Sequence, residues 1–263
     1  MTIEGAHAQP DPSDGTARHG TGTPAVLDEA ASQMRAPWAA GVAGLLFAIL
    51  FTTALMLIRS QPLVDATDAQ LAVIFATGGH LPIVIGGLYL APFSGIMFLW
   101  FIAVVRDQIG EREDRFFATV FFGSGLLFVA LVFVATAVAT AAVVGYQYLD
   151  QPAPSADTVE LLRALSYTVL FAFATRAAAV FLISMGTIGL RSRTFPSWFA
   201  WTGYLLGLVL LVAVTLWDWI ILVFPAWVAI VSLFIMRRER ARRGSAGGTA
   251  GDSEPGPDRA PGG

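Results

Sequence analysis

Residues 161–190 read LLRALSYTVLFAFATRAAAVFLISMGTIGL, a run built almost wholly of Leu, Val, Ala, Phe and Ile. A run this long and apolar is suited to crossing a bilayer, and near its centre stands one arginine, Arg176. Arg at the middle of a membrane helix costs roughly 2.5–3.5 kcal/mol on insertion scales, so its retention marks a candidate site.

Five further apolar runs flank this one, and six spans are predicted. They are Pro37–Ile58, a stretch that begins between Leu71 and Leu81 and ends at Val105, Phe116–Val144, Leu161–Leu190, Ser197–Leu216 and Ile220–Met236. Backbone groups in lipid must be satisfied within their own segment, so these runs are read as helices. Barrel strands would place a polar residue at every second position, and these runs do not. The expected fold is an all-α, polytopic membrane helix bundle with six transmembrane helices. Composition agrees. Of the 263 residues, 56% are hydrophobic and only 13% charged, with a mean hydropathy of +0.66; soluble domains carry about 25% charged residues. All sixteen basic residues are Arg, and cysteine is absent, which excludes disulfides, Fe–S clusters and thiol catalysis.

The predicted domain organisation is a disordered cytoplasmic tail at 1–36, a transmembrane domain at 37–236, and a basic stop-transfer segment with a second disordered tail at 237–263. The N-terminal stretch is polar and lacks the basic start and early apolar core of a signal peptide. The Gly/Ser/Ala/Pro-rich stretch from Gly244 onward has no apolar run.

Arg counting sets the orientation. With both termini inside, thirteen Arg fall on the cytoplasmic side, among them Arg106, Arg191, Arg237 and Arg238, and only Arg59 and Arg163 fall outside. The outside loops are acidic: Asp65, Asp68, Asp150, Asp157, Glu160 and Asp218. Trp38, Trp198 and Trp201 fall at the inner interface and Trp217 and Trp219 at the outer one, as an aromatic belt does. The reading is N-in, C-in, in a bacterial cytoplasmic membrane.

The second span is too long for one straight crossing and holds Gly78, Gly79, Pro82, Gly86, Gly87 and Pro92. The expectation is a surface helix near Asp68–Ala76, a break, and then a kinked span in which Pro92 frees the carbonyl of Leu88.

Arg176 is the first candidate for chemistry. Phe173, Val180, Ser184 and Thr187 lie on or near its helix face, and no span holds an acid at matching depth. Its charge must be met by carbonyls at a helix break, by hydroxyls such as those of Ser184, Thr187 and Tyr89, by water, or by an anion. The planar fork of Arg suits oxyanions. The plainer reading is a structural Arg bonded to backbone freed in the kinked second span. His80, at the outer end of that span, is a further ligand candidate, against the plainer reading of a snorkelling or hydrogen-bonded histidine. No metal site is expected, because the other histidines, His7 and His19, lie in the N-terminal tail. The dense inner loop Arg106–Arg115, with Glu111 and Arg115 at pairing distance, is a solvated turn or a partner contact.

No catalytic set emerges. Phe122-Gly123-Ser124-Gly125 is similar in part to the serine motif of rhomboid-type intramembrane proteases, which also have six spans. Here Phe stands two before Ser124, and His80 precedes the serine. Helix rise puts Ser124 roughly 14 Å and His80 roughly 38 Å from the inner surface, too far apart to bond. There is no P-loop, His-Glu-x-x-His, dinucleotide fingerprint or nucleic-acid motif. Small-residue spacings at Gly203-x-x-x-Gly207, Gly87-x-x-x-Ala91-x-x-x-Gly95 and Ala135-x-x-x-Ala139 predict close helix packing, within the chain or between copies.

The stretch Leu90-Ala91-Pro92-Phe93-Ser94-Gly95-Ile96, with Phe98-Leu99-Trp100-Phe101, Val105-Arg106-Asp107 and Glu113-Asp114-Arg115-Phe116-Phe117-Ala118-Thr119-Val120, resembles a set of uncharacterised six-span membrane proteins of high-GC Gram-positive bacteria. Thr175-Arg176-Ala177-Ala178 and Pro196-Ser197-Trp198 resemble the same set. The resemblance implies a membrane location and six spans, and carries no activity.

The function these observations favour is non-enzymatic: a membrane component, without cofactor or nucleic-acid partner, that binds an anionic lipid or a partner protein through Arg176. The alternative is a small-anion transporter or channel, for which a broken second span and a central Arg speak.

Overall fold

Thr67-Asp68-Ala69-Gln70 closes a capping box. The Thr67 hydroxyl accepts the Gln70 amide at 3.4 Å, and the Gln70 side chain accepts the Thr67 amide at 2.8 Å. Two otherwise orphaned donors are thereby satisfied, and a short helix, α2, starts at Asp68 and runs to Ala76. Just beyond it Gly78 takes φ +79°, a left-handed conformation open to glycine at little cost. This is the surface helix and break that the sequence predicts.

The computed structural model describes residues 23–60, 63, 66–109, 115–192, 197–212 and 219–249. Among them every regular element is a helix. Helix α1 spans Thr23–Arg59. After α2, a second long stretch joins α3 (Leu81–Ile83), a π-helical segment (Val84–Leu90) and α4 (Ala91–Ile109). Helix α5 spans Arg115–Tyr148. A fourth stretch joins α6 (Ala156–Tyr167), a second π-helical segment (Thr168–Ala174) and α7 (Thr175–Ser192). Helix α8 covers Ser197–Val212, and α9 covers Val223–Thr249 after a 3₁₀ turn at Ile220–Leu222.

Five of these stretches are long and apolar enough to cross a bilayer: Trp38–Arg59, Leu81–Arg106, Phe116–Tyr148, Ala156–Arg191 and Ile220–Ala241. Helix α8 is apolar but has 16 residues, a rise of about 24 Å. The chain is an all-α, multi-pass membrane helix bundle.

Two cation–π contacts fix one end of the bundle. The Arg106 guanidinium lies 5.3 Å from the Phe122 ring, and that of Arg191 lies 4.7 Å from Phe117. The ends of α4 and α7 therefore both meet the start of α5. At the opposite end, Arg59 lies 5.0 Å from the Trp219 ring, so α1 finishes where the last span begins. These are called below the Arg106 end and the Arg59 end.

Phenylalanine holds the middle. Phe98 of α4 packs against Phe47 of α1 at 4.6 Å between ring centroids, Phe128 of α5 at 5.5 Å, Phe181 of α7 at 5.2 Å and Phe224 of α9 at 5.4 Å. All five rings are almost fully buried. Lipid tails are as apolar as Leu, so helices in a bilayer associate through packing, and each such aromatic pair contributes about 0.5–1.5 kcal/mol.

The small-residue spacings serve packing within the chain. A side chain added at Gly207 would meet the Ala179 carbonyl at 3.0 Å, and one at Gly186 the Ala200 carbonyl at 3.0 Å, so α7 and α8 run antiparallel with backbones nearly touching. Gly87 and Gly95 similarly face Thr140 and Phe133 of α5.

Three expectations shift. The irregularity in the second span is a π-helical segment that ends two residues before Pro92, with the Ala91 amide reaching back five residues to Gly86. The wider turn absorbs the donor that Pro92 lacks. Helix α1 begins at Thr23, ahead of the apolar run, with Pro24 in its first turn and good helix formers over Ala25–Met34. Helix α9 likewise continues to Thr249, past Gly244, because Arg237–Arg243 is rich in strong helix formers. The remainder of both tails, the Glu111–Arg115 pair and the Trp217-Asp218 turn lie outside the described residues.

Candidate functional site

At the Arg59 end, Ser155 caps α6 by accepting the Thr158 amide at 3.3 Å, and Asp68 of α2 accepts the Ala156 amide at 2.7 Å. The two caps brace α2 and α6 beside the ends of α1 and α5. Between them lies a cavity of about 230 Å³. Its walls are apolar: Leu55 and Ile58 of α1, Phe75 of α2, Ala139 and Val143 of α5, and Leu162 of α6, with Leu170 and Phe171 from the second π-helical segment. Two arginines are among its lining residues, Arg59 from the last turn of α1 and Arg163 from α6, and no described lining residue is acidic. Ser166 and Tyr167 complete the polar lining.

Each cation has a physical reason for its place. Arg59 sits between rings, 5.8 Å from Phe171 and 5.0 Å from Trp219, where the ring faces attract its charge. Arg163 is exposed, on a helix with no buried residue, and lies at the rim of the cavity. The Ser166 hydroxyl donates to the Ala135 carbonyl at 2.8 Å, which ties α6 to α5 and spends its proton inside the protein. A separate, smaller hollow of about 40 Å³ lies along Phe51, Ala54 and Val132 and shares Leu55, Ile58, Ala139, Ser166 and Leu170 as wall. The arrangement is charged at one end and apolar at the other.

The candidates read from the sequence lie elsewhere. Arg176 is exposed on the perimeter of the bundle rather than inside it, beside exposed Phe173 and Val180. Its Nη1 donates to the Ala172 carbonyl, in the π-helical segment of its own span rather than in the kinked second span. Its depth differs too. Phe171 lies level with Arg59, the last residue of α1, and Arg176 follows Phe171 by five residues, about 7.5 Å of helix rise. Side chains on a helix lean toward its N-terminus, here the Arg59 end, and the bond to the Ala172 carbonyl follows that direction. The apolar run misplaced its centre because Leu161–Tyr167 belongs to α6, which buries nothing.

Ser184 is buried on α7. The Thr187 hydroxyl donates to the Ile183 carbonyl at 3.0 Å and lies 2.8 Å from the Tyr204 hydroxyl, joining α7 to α8. Tyr89 is exposed on the first π-helical segment. His80 is buried, stacked on Phe75 at 5.1 Å and edge-on to Tyr146 at 5.8 Å. Among the described residues its Nδ1 has no hydrogen-bond partner. His80 backs the cavity wall through Phe75 but does not line it. Ser124 donates to the Phe121 carbonyl at 3.1 Å within α5. Among the described residues no cluster of His, Asp or Glu is able to hold a metal ion.

Sequence reasoning therefore missed Arg59, Arg163, Ser166 and Tyr167. The signal for the first two was present: they are the only Arg assigned to the outside, and both line one cavity. Comparison with protein-family models, curated proteins and solved structures gives no match.

Proposed function

We propose that this chain is a six-span protein of a bacterial cytoplasmic membrane, both termini inside, that binds an anionic lipid-like ligand at the Arg59–Arg163 cavity without converting it. The observation that carries the reading is one cavity lined by two arginines, no described acid and otherwise mostly apolar residues. Two cations favour an oxyanion head group, and Arg suits carboxylate and phosphate by its planar fork. Leu, Ile, Val and Phe suit a hydrocarbon tail. The inner end is closed by Phe51 against Phe128 and Phe47, ring centroids 6.0 and 5.5 Å apart, which favours binding over passage of an ion. With Arg59 outside, the ligand comes from the outer leaflet. Helix α8 serves as the fifth span.

The test is native mass spectrometry of detergent-purified protein titrated with dioleoyl phosphatidylglycerol and with dodecanoate. The expected result is adducts on wild type and on Arg176→Gln, weakened at least tenfold in Arg59→Gln/Arg163→Gln. Equal adducts on the double variant overturn the assignment of the site.

A further inference from the structure

His80 sits where the connection from α2 enters the second span, and its ring is buried. It belongs to a cluster of three rings. Phe75 stacks on it at 5.1 Å, and Tyr146 of α5 stands edge-on to Phe75 at 5.1 Å and to His80 at 5.8 Å. Ile83, Val84 and Val143 pack with Phe75 in the same apolar cluster. Among the described residues the His80 Nδ1 finds no hydrogen-bond partner. The surrounding elements offer an imidazolium no counter-ion there. On α2 the one acid is Asp68, at the far end of the helix and bonded to the Ala156 amide. On the near end of α5 stand the phenols of Tyr146 and Tyr148, and Asp150 just beyond them is exposed. Tyr89 on the span of His80 itself, and Asp157 and Glu160 on α6, are exposed as well. The charges that share the cavity lining with Phe75 are Arg59 and Arg163, both cations.

Phe75 and Ile83, on either side of His80 in sequence, both line the Arg59–Arg163 cavity. Helix α2 is held to the bundle by buried Leu71 and Phe75 and by the exposed Asp68 bond, and it joins the span through Gly78, at φ +79°, and Gly79. A neutral imidazole packs in such a cluster as another ring does. An imidazolium there is a buried charge without a partner, and attraction to the Phe75 face offsets little of that cost. We infer that His80 makes this wall of the cavity acid-sensitive: protonation drives the ring out of the cluster, α2 swings about Gly78–Gly79 and takes Phe75 with it, and an anion held at neutral pH is let go. The neutral ring belongs to the docked state and the charged ring to the undocked one. Docking is therefore complete above the range in which histidine changes charge, and is lost as pH falls through that range. Once in water the imidazolium is hydrated and screened, so its pull on the anion does not replace the lost wall. The release of ligand rests on the lipid-binding reading above; the movement of α2 does not.

The chain has no cysteine, so Val73→Cys, at an exposed position of α2, gives a single site for a spin label. The experiment reads label mobility in phosphatidylcholine nanodiscs between about pH 8 and about pH 5, the range over which histidine changes charge. Binding of decanesulfonate, an anion whose charge is constant over that range, is measured on the same samples. The expected result is a label that becomes reversibly mobile on acidification, with binding about tenfold weaker at the acid end, within what one linked proton allows. In His80→Phe, which keeps the ring cluster and removes the titrating group, mobility and affinity should not change with pH. Asp68→Asn should keep the response of wild type. Should His80→Phe fail to fold, His80→Gln takes its place; should neither fold, mobility must rise with acid in both the wild-type background and Asp68→Asn, or the inference is overturned. A label equally immobile across the range overturns it. A response that persists without His80 assigns it to another group, and one lost in Asp68→Asn assigns it to the α2–α6 bond; either overturns the role of His80. A moving label with decanesulfonate affinity unchanged overturns the release of ligand. A moving label with no decanesulfonate binding at any pH overturns the lipid-binding reading and keeps the switch in α2.

Discussion

The Asp68 carboxylate accepts the backbone amide of Ala156 at 2.7 Å, across 88 residues of sequence. It joins the first turn of α2 to the first turn of α6, the two short helices that wall the cavity at the Arg59 end. A carboxylate at a helix N-terminus is doubly favoured, by the bond and by the helix dipole.

Asp68→Ala should therefore loosen this wall without unfolding the bundle. The bond is exposed, so a loss of about 1 kcal/mol is expected. Hydrogen exchange across residues 68–80 should speed up, while exchange around the Phe98 cluster stays unchanged. Asp68→Asn keeps an acceptor and should fall between Ala and wild type. Unaltered exchange in Asp68→Ala would show that α2 is held by its apolar face, through Leu71 and Phe75, which are both buried.

Arg176→Leu should fold and bind ligand like wild type, with stability unchanged or raised by up to about 1 kcal/mol. The guanidinium sits on the exposed face and satisfies one carbonyl of its own π-helical segment. Removing it relieves a desolvation cost and leaves that carbonyl on a helix side open to other donors. Thermal unfolding in detergent, with lipid adducts counted by native mass spectrometry, checks both parts. Loss of binding in this variant would return the site to Arg176.

Spans, surface helix and close-packing glycines were legible because each rests on local rules. Hydrophobic length marked the spans, Thr67–Gln70 marked the start of α2, and the spacing of Gly203 and Gly207 marked a tight helix pair. The site was not legible, because it depends on which helix ends coincide in depth. Residues 156–191 form one continuous helical stretch, and its apolar character does not show where α6 ceases to be buried. Arg176 therefore read as central, whereas the depth of Phe171 is set by Arg59, a residue more than a hundred positions away. The irregularity of the second span was legible from Gly86, Gly87 and Pro92, but not its π-helical form, and nothing in Thr168–Ala174 marks a shift in hydrogen-bond register.

Two glycine substitutions separate packing from propensity. A side chain at Gly86 would meet the Ala54 carbonyl of α1 at 2.9 Å, and backbone is slow to yield. Gly86→Ala should destabilise by about 1–3 kcal/mol, the usual range for overpacking. Gly123 on α5 has nothing within 4 Å of that position, so Gly123→Ala should be neutral or stabilising by up to about 1 kcal/mol. Thermal unfolding of both in the same detergent gives the comparison. A neutral Gly86→Ala would mean that α1 and the first π-helical segment sit further apart than 2.9 Å implies.

Both termini should face the cytoplasm. Thirteen Arg against two favour this on sequence. The bundle adds a geometric reason. Arg106 and Arg191 meet the start of α5 at one end, and Gly41 near the start of the first span faces Met236 near the end of the last, which places those two at a common end as an even number of crossings requires. Arg59 and Arg163 line one cavity at the opposite end. A periplasmically active phosphatase fused after Met236 should stay inactive, while the same reporter inserted after Asp150 in the loop before α6 should be active. The reverse pattern would place the two-arginine cavity on the cytoplasmic side, and its ligand would then have to come from the inner leaflet. Activity at both positions would mean an even number of crossings between them, with α8 or another stretch not spanning the bilayer.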